Sequence, residues 1–313
     1  MKKISIILPC CNEEGNIAGL YKRLRAALPD RFLYEIIFVD DGSTDNSLSL
    51  INAIAQQDKD VHYISFTRNF GHQPALKAGM DHCTGDCAVT MDADLQHPPE
   101  VVRDLIDKWE KGFLIVSAQR NADEHFPLLK RLAYSGFYRL LRRLTDLQIQ
   151  EGTADFRLTD RRVLDVLQQE MKEHPAFLRG SVSWTGFSRA TIPYAAPARK
   201  SGVSKYPFSQ LLSLGVSGIT SFSVKPLRLS LYAGLILMTT SLLAGLYILL
   251  GQCAGADHSA TMHGLIAVVV FLAGLQLLSV GIVGEYLAVA LRELRQRPSY
   301  VIQSSSYSGN QRG

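Results

Sequence analysis

The chain has no CxxC cysteine pair, no glycine-rich nucleotide loop and no strong excess of either charge. Its five cysteines, Cys10, Cys11, Cys83, Cys87 and Cys253, are odd in number and lack CxxC spacing, so they read as reduced thiols used as small hydrophobes. Lys and Arg number 33 against 29 Asp and Glu, a net charge of +4 that is too mild to argue for nucleic acid. Lys2 and Lys3 are followed by too short an apolar run before Pro9 for a signal peptide. No GxGxxG follows the first apolar run and no GxxxxGK(S/T) occurs anywhere, which disfavours a dinucleotide cofactor and P-loop chemistry.

Two further absences are local. Leu229 to Gly251 and Gly264 to Gly284 contain no ionisable side chain other than Tyr. Each run can cross a hydrocarbon core of ~30 Å as a helix. Lys225 and Arg228 precede the first; Arg292, Arg295 and Arg297 follow the second; the linking "QCAGADHSATMH" has no Lys or Arg. The positive-inside rule then puts both chain ends in the cytosol and the loop outside. The expected organisation is a cytosolic domain over 1–205, a juxtamembrane amphipathic segment over 206–226, spans over 227–251 and 264–291, and a cytosolic tail over 292–313. "LLKRLAYSGFYRLLRRL" (128–144) mixes Leu with Lys and Arg and suits a helix lying on an anionic membrane surface. Glu285, at the inner end of the second run, is a functional or assembly candidate.

What is present in the first 120 residues is alternation. "ISIIL" (4–8), "YEIIFV" (34–39), "VHYISF" (61–66), "CAVTM" (87–91) and "LIVSA" (114–118) are strand-like, and helical patterns lie at 14–28, 45–57, 73–82 and 99–111. This order predicts an α/β fold with a mostly parallel sheet, whose ligands bind beyond the carboxyl ends of the strands. The loops there are "PCCNEEGN", "DDGSTD", "TRNFGHQP" and "DADLQHP". Asp92 and Asp94, one residue apart past a strand end, can bring a hard divalent cation, Mg²⁺ or Mn²⁺, against a diphosphate while accepting sugar hydroxyls. A plain polar turn is the alternative, with Asp94 capping a helix near Pro98. Asp45 reads as a helix cap; Asp40, Asp41, Asn12 and Glu13 supply acceptors for a base and ribose. His72 and His97 read as polar loop residues rather than ligands.

"PCCNE", "VDDGSTD", "RNFGHQPALKAGMDH" and "MDADLQHPPE", in this order, resemble family-two inverting glycosyltransferases of the GT-A fold, more narrowly the polyprenyl-phosphate glycosyltransferases that include dolichyl-phosphate mannose synthase. "EGTADFRLTDRRV", "FLRGSVSWTGF", "RKSGVSKY" and "ITSFSVKPLRL", then two apolar runs ending "GEYLAVALRELRQRPSY", resemble the bacterial bactoprenol glucosyltransferases most. The resemblance implies a GT-A nucleotide-sugar-binding domain followed by interfacial helices and two transmembrane helices, in a bacterial cytoplasmic membrane. It implies donor contacts from Pro9, Cys11 (where the family usually has an aromatic), Glu13, Asp40, Asp41, Lys77, Asp92, Ala93 and Arg120. Asp94, helped by Asp92, would hold the metal; Gln96 and Asp155 would sit near sugar and acceptor; Arg157, Arg179, Arg199 and Lys205 would meet phosphates. The reading for Asp155 in its own right is a charge at the N-terminus of the helix "RRVLDVLQQ".

The implied reaction is inverting transfer of a hexose, glucose from UDP-glucose first, onto undecaprenyl phosphate, for cell-envelope and O-antigen modification. Its partners are the sugar nucleotide, the polyprenyl phosphate, the membrane, a separate flippase and a downstream transferase, with a homo-oligomer left open. Another donor, a UDP-amino sugar or GDP-mannose, and a non-catalytic nucleotide-sugar scaffold are the alternatives.

Overall fold

The computed structural model describes residues 1–120, 153–170, 178–195, 223–253, 261–295 and 297–307. The segment 128–144 expected to lie on the membrane surface, the 199–205 basic loop and the side chain of Arg179 therefore lie outside the described residues.

Four strands make the half of the sheet that the apolar runs announce: β1 (Lys3–Cys10), β2 (Leu33–Asp40), β3 (Val61–Phe66) and β4 (Cys87–Thr90). β1 pairs in parallel with both β2 and β4, and β2 pairs in parallel with β3. β1 is central, so helices cover both its faces and Ile4, Ile6, Ile7 and Leu8 are all fully buried. Helices α1 (Glu14–Ala27), α2 (Ser47–Gln57), α3 (His72–His82) and α4 (Val102–Glu110) connect or follow these strands. α3 lies so close to β1 that a side chain at Gly79 would fall on Ile7.

The other half departs from simple alternation. β5 (Ile115–Arg120) is followed by β6 (Thr153–Asp160), a short helix α5 (Arg161–Asp165) running into a π turn (Val166–Glu170), α6 (Leu178–Trp184) and β7 (Arg189–Tyr194). β6 inserts antiparallel between β4 and β5, and β7 pairs in parallel with β5. The sequence reading has neither β6 nor β7. β6 shows a strand period, with Ala154, Phe156 and Leu158 alternating with Asp155, Arg157 and Thr159, but it is buried on both faces from Asp155 onward. The helix cap belongs to Asp160, which accepts from Arg162 N at 3.0 Å, so Asp155 is a strand residue and not a helix N-terminal charge.

Two long helices follow, α7 (Lys225–Cys253) and α8 (Thr261–Leu294). Their described large apolar side chains face outward, among them Leu231, Ile236, Phe271, Leu277 and Val280. Among the described residues one segment, Phe271–Leu291, is long and apolar enough to cross a membrane, with mean hydropathy 1.6 and none of it buried. The chain then returns. β8 (Ile302–Ser305) pairs antiparallel with β3, giving the order β7-β5-β6-β4-β1-β2-β3-β8 with four parallel and three antiparallel pairings. The segment expected to be only a tail thus completes the sheet. Tyr300 stacks on Phe66 with ring centroids 5.0 Å apart, and Tyr307 stacks on His62 at 4.7 Å.

Candidate active site

The acidic loops gather at the carboxyl ends of β1, β2 and β4. The parallel register sets Pro9 opposite Val39 and Cys10 opposite Asp40, so their loops leave the sheet together. Asn12 takes a left-handed φ of 57° and bridges to the next loop: its N–H donates to Ser43 Oγ at 3.0 Å, and its Oδ1 accepts from Thr44 N at 2.8 Å. Glu13 N–H donates to Ser47 Oγ at 2.8 Å, and its carboxylate accepts from Asn16 Nδ2 at 2.6 Å. Cys11, half-buried, accepts from Asn69 Nδ2 at 3.2 Å.

Asp40 is buried and accepts from Ser65 Oγ at 2.9 Å and Ser43 N at 3.2 Å, so it holds the loop from below. Asp41 accepts from Phe70 N at 2.7 Å and Gly71 N at 3.0 Å. Burial pushes the Asp41 carboxyl above its ordinary value against the pull of those two bonds, with the Asp40 charge adding to the rise. Immediately after Asp41, Gly42 has φ +65°, and a Cβ there would fall on the Arg68 and Asn69 backbone; only glycine permits this approach.

Asp92 and Asp94 follow β4, with Ala93 buried between them. Asp94 Oδ1 accepts from Gln96 N at 3.0 Å and Leu95 takes φ 62°, a tight turn rather than a helix cap; the helix begins at Pro99. Asp92 N–H donates to His97 Nδ1 at 2.9 Å. His97 is buried, not a polar loop residue: its ring stacks on Phe156 at 4.9 Å and meets Tyr194 edge-on. His72 Nε2 lies 2.8 Å from Asp92 Oδ1. Burial works to raise the Asp92 pKa, but the adjoining His97 ring and then the bond to His72 hold it below the usual carboxylate value.

β6 supplies the opposite wall. Thr90 of β4 lies across from Arg157, and its hydroxyl donates to Asp155 O at 2.5 Å, which brings the start of β6 to the end of β4. Asp155 and Arg157 are buried together, with Arg157 Nη2 donating to Asp155 Oδ1 at 2.7 Å. Gln73 Nε2 donates to Asp155 Oδ2 at 3.2 Å. Arg120 is exposed at the end of β5, paired in the sheet with Tyr194. Lys77, further along α3, forms an ion pair with Asp81.

The expected residues Pro9, Cys11, Glu13, Asp40, Asp41, Asp92, Ala93, Asp94, Gln96, Asp155 and Arg157 thus lie on the loops and strand ends at one rim. Among the described residues no three His, Cys, Asp or Glu side chains converge as a metal cage. Two hard carboxylates at Asp92 and Asp94 do fit a cation that takes its remaining oxygens from water and phosphate.

An α/β sheet with an acidic rim at the carboxyl ends of β1, β2 and β4 is the architecture of a GT-A sugar-nucleotide transferase domain. Comparison with known proteins agrees: the model for glycosyl transferase family 2 matches residues 5–167, and that for the GtrB C-terminal hairpin matches 225–290. A prophage-derived bactoprenol glucosyl transferase of Shigella flexneri is 38% identical over 98% of this chain and 99% of its own. A prophage bactoprenol glucosyl transferase homologue of Escherichia coli is 37% identical over 96% of this chain and 98% of its own. An uncharacterised glycosyltransferase of Bacillus subtilis is 39% identical over 98% of this chain and 95% of its own. The chain belongs to glycosyl transferase family 2 and is a glycosyltransferase that carries the GtrB-type hairpin.

Proposed function

We propose that the chain transfers a hexose, glucose from UDP-glucose, onto undecaprenyl phosphate at the cytosolic face of a bacterial cytoplasmic membrane. The observation that carries this is the path of the chain. It leaves the transferase domain into an exposed apolar helical hairpin and returns to the same sheet as β8, which ties a lipid-facing element to the acidic rim. An even number of crossings is what a chain needs to leave and rejoin one domain, and this supports α7 and α8 as two spans. The names of the full-length relatives from Shigella flexneri and Escherichia coli support the lipid acceptor and the glucosyl donor.

Asp41 and Glu13 would face ribose and base, and Asp92 and Asp94 the diphosphate. A Mg²⁺ or Mn²⁺ ion held by Asp94 and Asp92 supplies charge neutralisation of the leaving diphosphate. The acceptor phosphate monoester, with a second pKa of ~6, is largely dianionic at neutral pH and needs no strong base. Its oxygen attacks the anomeric carbon as the bond to the nucleotide diphosphate breaks, and the centre inverts. Asp155, bonded to Arg157 and Gln73, positions rather than abstracts. Arg199 and Lys205, with Arg179, are assigned to the incoming phosphate on sequence grounds. Replacing Arg199 or Lys205 by Ala should lower kcat/KM about tenfold to a hundredfold, the value of a lost charge-assisted hydrogen bond of ~1.5–3 kcal/mol.

The deciding experiment incubates the full chain with undecaprenyl phosphate and a panel of UDP-glucose, UDP-amino sugars and GDP-mannose, then weighs the lipid. A hexose mass increment from UDP-glucose alone is expected. An increment from another donor corrects the sugar, and nucleotide-sugar binding with no product from any donor overturns the transfer.

A further inference from the structure

Four consecutive residues, 70–73, reach three of the carboxylates of the rim. Phe70 N and Gly71 N donate to Asp41, His72 bonds Asp92, and Gln73 bonds Asp155. The bonds are mutually consistent. With its proton on Nε2, the His72 ring donates to Asp92 Oδ1 while Nδ1, 3.5 Å from Gln73 Nε2, faces an amide donor. The Gln73 amide is oriented by two partners: Nε2 donates to Asp155 and Oε1 accepts from Leu178 N at 3.2 Å. His72 Nδ1 also lies 3.9 Å from Asp155 Oδ2, so the two side chains span the gap between the β4 and β6 carboxylates. Gly71 opens this turn at φ +106°, and the helix behind it is locked to β1 through Gly79. The turn is therefore anchored through α3 on the central strand, while Asp41 and Asp92 lie in loops beyond the strand ends and Asp155 lies near the start of β6.

We propose that the 70–73 turn is the positioning element of this active site, with His72 setting the Asp92 carboxylate for the metal–diphosphate and Gln73 setting Asp155 for the sugar and acceptor side. The proposal rests on the sugar-nucleotide reading above. Neither side chain is assigned a proton transfer. Each fixes the rotamer of a carboxylate that would otherwise turn, and partners of this kind are typically worth about tenfold to a hundredfold in metal affinity or activity.

The test separates the two roles in the full chain in detergent with lipid acceptor. UDP binding with Mn²⁺ present is measured by calorimetry, kcat and donor KM by product formation, and folding by melting temperature. His72→Ala should weaken Mn²⁺-dependent UDP binding by about tenfold or more, and His72→Gln, whose amide reaches the same acceptor, should restore most of it. Gln73→Leu, similar in shape but without donors, should bind UDP–Mn²⁺ as the parent does and lose about tenfold or more in kcat with donor KM unchanged. Normal UDP–Mn²⁺ binding by His72→Ala, or equal losses in binding and kcat for both variants alongside lowered melting temperatures, would overturn it. If the parent binds UDP–Mn²⁺ but forms no lipid product, the acceptor assignment fails and the His72 binding arm still decides this proposal. If the parent does not bind UDP–Mn²⁺ at all, both fall.

Discussion

Asp94 and Glu35 are both carboxylates, and their surroundings give them opposite tasks. Asp94 sits in a tight turn at the rim, where Asn would keep the oxygen that accepts from Gln96 N but lose the charge. Asp94→Asn should therefore abolish turnover while changing stability by less than about 0.5 kcal/mol. EDTA should silence the parent enzyme as well; full activity in EDTA would remove the metal assignment. Glu35 is buried at the opposite end of the sheet, with Lys3 Nζ at 2.7 Å, Ser5 Oγ in contact, and Thr84 donating through N and Oγ1 at 2.6 and 2.7 Å. Burial raises its pKa, but the Lys3, Ser5 and Thr84 bonds outweigh this and hold it below the usual value. A depressed carboxylate contributes its full stability above the unfolded pKa and loses it as pH falls through the folded one. Glu35→Gln should cost about 1–3 kcal/mol at neutral pH. The gap in melting temperature between parent and variant should narrow as pH is lowered toward 3, whereas a pH-independent gap would assign the loss to shape alone.

At the scale of elements, β8 closes an edge that would otherwise be open. Thr67 N donates to Val301 O at 3.1 Å and Ser306 N to Tyr63 O at 3.0 Å, extending the ladder beyond the strand itself. Tyr300 stacks on Phe66 and donates to Asp81 Oδ2 at 3.1 Å, so it fastens the returning chain to α3 as well as to β3. Tyr300→Ala should cost roughly 2–3 kcal/mol, below a fully buried aromatic deletion because the ring is partly open to solvent. Detergent-solubilised protein ending at Ser299 should melt lower and self-associate through the bared β3 edge. Unchanged melting in Tyr300→Ala would mean that the hairpin alone holds the C-terminal segment in place. The apolar runs made β1 to β5 legible because each is a local pattern bounded by turn residues. β6 carried a period-two signal across Ala154, Phe156 and Leu158, yet its polar positions mimic a solvated loop, since Asp155 and Arg157 neutralise each other only once buried.

For the whole molecule, topology is the quantity to measure. In a Cys253→Ser background, Ser259→Cys in the interhelical loop should react with an impermeant thiol reagent on intact cells. Gln303→Cys, exposed on β8, should react only after permeabilisation. Labelling of both positions from outside, or of neither, would break the two-span arrangement, and reversed labelling would put the acidic rim on the side without sugar nucleotides.

The sequence by itself determined the elements whose signal is local: the early strands and helices, the paired aspartates past β4, and the apolar hairpin with its basic flanks. It also placed the rim, because loops at the carboxyl ends of parallel strands meet by construction. Only the tertiary structure decided which partners those carboxylates have. His97 is a surface-type residue in its local pattern and becomes a buried support because β6 and β7 bring Phe156 and Tyr194 against it. Gln73 meets Asp155 because β6 inserts antiparallel beside β4, and β8 finds β3 across most of the chain. Pairing register and side-chain contacts between distant segments depend on how the whole core packs, and no window of neighbouring residues carries that information.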